Sequence, residues 1–186
     1  MNICVFGAAS DQINEKFKTE IYEMSYRLAK MGHNLVFGAG STGLMGASAR
    51  GFYDAGGKIY GFVPKFILDN NIEPVFPNCT ELQCVDTMNQ RKDSMENLAD
   101  VFIVVPGGIG TMEEFFEVLV AQSLGRHTKE IILLNIDNYY EEIIKFINKA
   151  VSNVPIKDCY KIAATIGDVF KYLEEFKFWM FERNKI

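Results

Sequence analysis

Histidine is scarce in this chain, with two residues in 186, and that scarcity removes much familiar catalytic and metal chemistry. A histidine-based triad or a histidine-ligated zinc site needs imidazoles that are hardly there. The four cysteines, Cys4, Cys79, Cys84 and Cys159, form no C-x-x-C pair, so no metal site is expected from them. They fit a cytoplasmic protein with reduced thiols. No basic run or stripe interrupts a balance of 19 Lys+Arg against 24 Asp+Glu, a formal net charge of −5, which argues against a nucleic-acid partner. No apolar stretch approaches the roughly 20 residues of a membrane span. The start MNICVFGAAS lacks the basic and long apolar regions of a signal peptide. Linkers and repeats are missing too, so a single domain over residues 1–186 is expected.

What is present is alternation. NICVF (2–6), NLVFG (34–38), KIYGFVP (58–64), ELQCV (81–85), VFIVVP (101–106) and EIILLN (130–135) read as strands. Between them lie helical patterns at 14–32, after the glycine-rich stretch at 38–46, at 87–99, after a second glycine turn, and at 139–151. Residues 65–80, with Pro74 and Pro77, read as irregular, and the tail offers a further strand, YKIAATI, before a last helix carrying Trp179. Apolar strands in βαβα order predict a Rossmann-like, doubly wound parallel sheet in a three-layer α/β/α arrangement. Ligands on such sheets sit beyond the carboxyl ends of the strands, where both glycine turns fall.

The first turn, GAGSTGLMG (38–46), fits G-x-G-x-x-G between a strand and a helix. It serves either as a tight turn with close helix packing or as an anion cradle using the unpaired amides of the following helix. The next strand ends YGFVP without the carboxylate that dinucleotides require, and no lysine follows the glycines as in a triphosphate loop. A monophosphate or another small anion remains. In TMNQRKDSMENLA (87–99), Arg91 shares the apolar face of Met88 and Met95. A cation there must find an anion or snorkel to water. Helical phase turns Lys92 outward, and Thr87 with Gln90 has capping-box spacing.

The second turn, PGGIGTMEE (106–114), carries two adjacent glutamates. Thr111 and Glu114 have capping-box spacing, and acidic residues favour a helix start, so local structure alone can account for them. Helical phase nevertheless separates the pair. Glu114 aligns with Val118 and Ala121 and points inward, whereas Glu113 aligns with Glu117. Arg91 and Glu114, each beside a strand of one sheet edge and each needing a partner, form a candidate catalytic pocket.

GAGSTGLMG, MNQRK (88–92) and PGGIGTMEE together resemble the paired motifs of the Lonely guy (LOG) family, the cytokinin riboside 5′-monophosphate phosphoribohydrolases, often mislabelled lysine decarboxylases. The resemblance runs from VFGAAS to about residue 150. It implies a Rossmann-like homodimer, with no cofactor, that hydrolyses the N-glycosidic bond of a nucleoside 5′-monophosphate. AMP or N6-substituted AMP would yield free base and ribose 5-phosphate. By motif position the resemblance implies Arg91 and Glu114 as the catalytic pair. It places Gly107, Gly108, Gly110 and Thr111 at the phosphate, with Ile109 and Met112 in the same loop, and Glu113 at the sugar. Further substrate contacts fall at Gly40, Ser41, Gly43, Met88 and Lys92, and at Glu73, where the family often has a glutamate. The chain departs from the cytokinin-active pattern T-W-A-Q-L-G, having VAQSLG (120–125) with Val120 for threonine and Ala121 for tryptophan; Ala39 also replaces a frequent glycine. The reaction type carries over on this resemblance, and the base preference does not. A non-catalytic nucleotide or cofactor carrier on the same scaffold is the second reading. Nothing marks a lysine to anchor pyridoxal phosphate for a decarboxylase.

Overall fold

The computed structural model describes residues 1–150 and 155–183. Their regular elements are β1 (Asn2–Phe6), α1 (Glu15–Lys30), β2 (Asn34–Phe37), α2 (Gly43–Asp54), β3 (Ile59–Pro64), α3 (Lys65–Asp69) and β4 (Glu81–Val85). The second half follows with α4 (Met88–Leu98), β5 (Val101–Val104), α5 (Ile109–Ser123), β6 (Glu130–Leu134), α6 (Glu141–Ala150), β7 (Lys161–Ala163) and α7 (Ile166–Arg183). Among the described residues seven strands form one sheet in the order β4-β3-β2-β1-β5-β6-β7. Every pairing in it is parallel.

Strand periodicity divides the core in two. Along β1, Ile3 and Val5 enter one cluster with α1, α2 and α7, while Cys4 and Phe6 enter the other with α4, α5 and α6. β5 repeats the division with Val101 and Ile103 against Phe102 and Val104. A strand buried on both faces has no polar position left, which is why these segments read as unbroken apolar runs. The helices bury single stripes, such as Phe17, Ile21, Met24 and Leu28 of α1.

Two local expectations change. Residues 65–80 are not wholly irregular, because Pro64 adopts an extended N-cap conformation and α3 follows it, anchored by buried Ile67. The helix expected at 139–151 begins at Glu141, after a 3₁₀ turn over Ile136–Asn138. Val151 lies outside the described residues. No described helix is long and apolar enough to cross a membrane.

The strand order places the functional edge. From β1 the chain winds through β2 and β3 to β4, then returns to β5 on the other side of β1. Winding reverses between β1 and β5, and a crevice opens at the carboxyl ends of strands at such a point.

Candidate active site

The crevice between β1 and β5 is a cleft of about 330 Å³. Its walls are the loop after β1 (Gly7, Ala8, Ala9, Ser10), the start of α5 (Gly108, Gly110, Thr111, Glu113, Glu114), and Met45, Glu73, Met88 and Arg91.

α5 begins earlier than the T-x-x-E spacing suggests. Its N-cap is Gly108, with no side-chain cap, so Thr111 already lies inside the helix and no Thr111–Glu114 capping box forms. Among the described residues the amides of Gly108, Gly110 and Thr111 find no acceptor; the first turn closes only at Met112, whose N–H donates to Gly108 O at 3.1 Å. Open amides at a helix start, reinforced by the helix dipole, suit an anion in the cleft.

Arg91 reaches the same cleft because α4 starts where Thr87 and Gln90 specify. The Gln90 N–H donates to Thr87 Oγ1 at 3.1 Å, and Gln90 Oε1 accepts from the Thr87 N–H at 3.3 Å, completing the expected capping box. Arg91 does not snorkel; it is 6% exposed. Its Nη2 donates to Gly38 O at 3.3 Å, and its Nε is buried without a partner. The guanidinium lies so close over Gly38 that any Cβ there would collide with it, which accounts for that glycine. A buried cation with a spare donor calls for an anionic partner.

Glu114 lines the cleft with Arg91, and no ion pair joins the two. Burial pushes its carboxyl up; Arg91 and Lys92 pull it down, Glu113 and Glu117 push it up, and the balance is about 7. A carboxyl poised near neutrality suits proton transfer.

Lys92 departs from its helical-phase expectation. It is 8% exposed, sits under α5, and pairs with Glu113 and with Glu117, the latter at 2.6 Å. Burial alone lowers its pKa, but the hydrogen bonds it donates to both glutamates outweigh that and hold it above the ordinary lysine value. The i, i+4 glutamates thus share one cation, and Glu114 between them faces the cleft.

The first glycine turn does different work from an anion cradle. The N–H of Gly43 donates to Asp11 Oδ1 at 2.9 Å, and those of Leu44 and Met45 donate to Ala8 O at 2.8 and 3.2 Å. The start of α2 is closed by the protein's own carboxylate and carbonyl. Gly43 has φ +57°, and a Cβ there would strike the loop after β1. On its other side this turn straps the segment carrying Glu73: Ser41 N–H donates to Pro74 O at 2.9 Å, Phe76 N–H donates to Ala39 O at 2.8 Å, and Gly40 bridges Val75. Ala39 itself has φ 65°, a left-handed conformation that favours glycine.

Of the residues expected in the site, the cleft gathers Arg91, Glu114, Gly108, Gly110, Thr111, Glu113, Glu73 and Met88. Gly40, Ser41, Gly43 and Lys92 are not among the residues that line it. Gly107, Ile109 and Met112 line a neighbouring apolar cavity of about 590 Å³ with Phe116, Tyr139, Tyr140 and Ile143. Sequence reasoning missed the wall from Gly7 to Ser10 and Met45. The signal for the former was a small-residue run directly after the first strand. Among the described residues, no group of three or more His, Cys, Asp or Glu side chains is arranged to hold a metal.

The sequence profile of the family described as possible lysine decarboxylase matches residues 45–175. The chain is 35% identical over 178 residues to a probable cytokinin riboside 5′-monophosphate phosphoribohydrolase, LOGL5, of Oryza sativa subsp. japonica, covering 94% of this chain and 72% of that relative. It is 38% identical over 149 residues to the cytokinin riboside 5′-monophosphate phosphoribohydrolase LOG2 of Arabidopsis thaliana, covering 80% and 69%. Among solved structures, the molybdenum cofactor carrier protein of Chlamydomonas reinhardtii superposes with a TM-score of 0.72 at 20% identity, covering 94% of this chain and 96% of that one. The molybdenum cofactor binding protein of Rippkaea orientalis gives 0.73 at 22%, with the same coverage. At these identities the superpositions speak to the fold.

Proposed function

This chain belongs to the Lonely guy family, and on that premise we propose that it hydrolyses a nucleoside 5′-monophosphate to free base and ribose 5-phosphate. The observation that carries the reading is the meeting of three groups in one cleft: the open amides of α5, the buried Arg91 and the near-neutral carboxyl of Glu114. Amides and dipole hold the 5′-phosphate. The cleft then brings the ribose past Glu114. Cleavage of the C1′–N bond develops positive charge on the sugar, as in glycoside hydrolysis. An ionised Glu114 faces that charge and takes a proton from the water whose oxygen bonds to C1′, while the bonding pair leaves with the base nitrogen. Arg91 supplies its unpaired donor to the phosphate or the departing base. Glu73 and Met88, across the cleft, meet the base end of the substrate.

The protein acts as a homodimer in this reading. α5 exposes an apolar stripe, Ile109 (90% exposed), Val120 (47%) and Leu124 (72%), with Met112 and Phe116 partly covered between them. Such a contiguous stripe suits burial against a second copy. The reduced thiols and the nucleotide substrate fit a cytoplasmic enzyme.

The decisive experiment incubates the protein with AMP and with N6-isopentenyl-AMP and assays free base and ribose 5-phosphate. Product is expected from at least one. Glu114→Gln should lose about 10²–10⁴-fold in turnover while still binding nucleotide. Unchanged turnover would sink the assigned role, and tight binding by the wild type without product from any nucleoside monophosphate would instead support the carrier.

A further inference from the structure

The loop between β5 and α5 aims the Gly108 N–H at the cleft only if the preceding carbonyl points the other way, and three consecutive carbonyls of this loop are each held by a hydrogen bond, two of them from tyrosine hydroxyls. Val105 O accepts from the Tyr140 hydroxyl at 2.7 Å, Pro106 O from the Ala8 N–H at 3.1 Å, and Gly107 O from the Tyr139 hydroxyl at 3.3 Å. In a trans peptide the C=O of one residue and the N–H of the next are antiparallel. Holding Gly107 O on the tyrosine side therefore aims the Gly108 N–H at the cleft, whose wall Gly108 forms. The restraint matters because Gly107 and Gly108 are adjacent glycines, and backbone without Cβ atoms turns over at little steric cost.

The tyrosines are themselves built in. The Tyr140 N–H donates to Oδ1 of buried Asn135 at 2.7 Å, and the Asn135 N–H donates to Ala163 O of β7 at 2.8 Å. Two consecutive non-glycine residues just before them, Asp137 and Asn138, take positive φ values of 51° and 58°. Asp137 is held by Lys16 at 2.7 Å. The Tyr139 ring meets Phe17 edge-on at 5.8 Å and Tyr140 at 4.9 Å. Strain retained and pinned from several sides is typical where geometry serves a site.

We propose that Tyr139, at Gly107 O, and Tyr140, at Val105 O, are positioning residues that brace the loop from Val105 to Gly108 for phosphate binding. The inference rests on the reading that the α5 amides hold the substrate phosphate. The test titrates ribose 5-phosphate, followed by calorimetry, into the wild type, Tyr139→Phe and Tyr140→Phe, alongside AMP hydrolysis and thermal midpoints. Each variant keeps its ring and loses one hydroxyl. Ribose 5-phosphate affinity should fall about tenfold in Tyr140→Phe and about threefold in Tyr139→Phe, whose bond is longer. KM for AMP should rise by about the same factors, with kcat within about twofold. Unchanged affinity in both variants overturns the brace, even if the thermal midpoint falls. Weakened ribose 5-phosphate binding without AMP hydrolysis in any of the three proteins leaves the brace standing and sinks the hydrolase reading for AMP. A wild type that binds neither compound overturns both.

Discussion

At the residue scale the chemistry turns on the ionisation of Glu114. With its carboxyl raised to about 7, the carboxylate that accepts the water proton is lost as pH falls through that value. The ratio kcat/KM should therefore drop about tenfold per pH unit below it. Lys92 moves this limb in a definite direction. Its positive charge favours the Glu114 carboxylate, while the Glu113 and Glu117 charges it partners oppose it. Lys92→Met removes the first effect and leaves both glutamates without their cation, so the limb should shift to higher pH. A pH–rate profile identical to the wild type would refute that coupling. The same ionisation bears on stability. The folded value lies above the ordinary 4.5, so the stabilisation associated with Glu114 is complete below about 4.5 and lost as pH rises through 7. Glu114→Gln should consequently be the more stable protein at pH 8, by on the order of 2 kcal/mol, with the advantage gone at pH 4 in urea titrations. The residue most needed for turnover is one the fold would be firmer without.

At the scale of elements, two glycine-rich helix starts that look alike in sequence behave oppositely. α2 is closed by Asp11 and by Ala8 O, whereas α5 is left open at a glycine N-cap. Asp11→Ala should therefore lower the thermal midpoint and leave nucleotide affinity within about twofold. The Gly43 amide holds the Asp11 carboxyl below its ordinary value, with Lys18 adding to the effect. Its stabilisation is present above about pH 4 and disappears as pH falls through the lowered value, so wild type and variant should converge in acid. A matching loss of affinity at pH 7 would assign the first turn to the ligand after all. These starts also show what was legible in the residues. Thr87–Gln90 and Thr111–Glu114 share one spacing, yet only the former makes a capping box, because Thr87 is extended at φ −132° and Thr111 is already helical. Spacing indicates that a cap is available; the glycine at 108 decided where the helix starts. Lys92 departs for a related reason. Helical phase turns it away from the Met88–Arg91–Met95 face, and only the glutamates of another helix, packed over that side, bury the charge and pair with it.

At the scale of the molecule, alternating apolar strands and amphipathic helices announced a parallel sheet with helices on both faces, and Arg91 and Glu114 could be picked out as inward charges. Strand order was not legible, since successive βαβ units look the same whichever way the sheet grows. The reversal between β1 and β5 is what brings the Gly7–Ser10 loop into the cleft, so those residues escaped a reading confined to motifs. Order within one chain also leaves the exposed face of α5 unexplained. Ile109, Met112, Phe116 and Val120 follow the three- and four-residue steps of a packing seam, with Leu124 one further step along. The seam starts at the turn that carries the open amides, so a second copy seated on it would reach both active sites at once. Val120→Glu with Leu124→Glu places like charges on the seam, well along the chain from Gly108, Gly110, Thr111, Glu113 and Glu114, which line the cleft. The wild type should sediment as a dimer and the double variant as a monomer with unchanged far-UV circular dichroism. KM for AMP should rise more than tenfold, on the order of 1.4 kcal/mol of lost binding, if the seam organises the site. A monomeric wild type would remove the dimer from the proposal, and a monomeric variant with full activity would show that each cleft is complete within one chain.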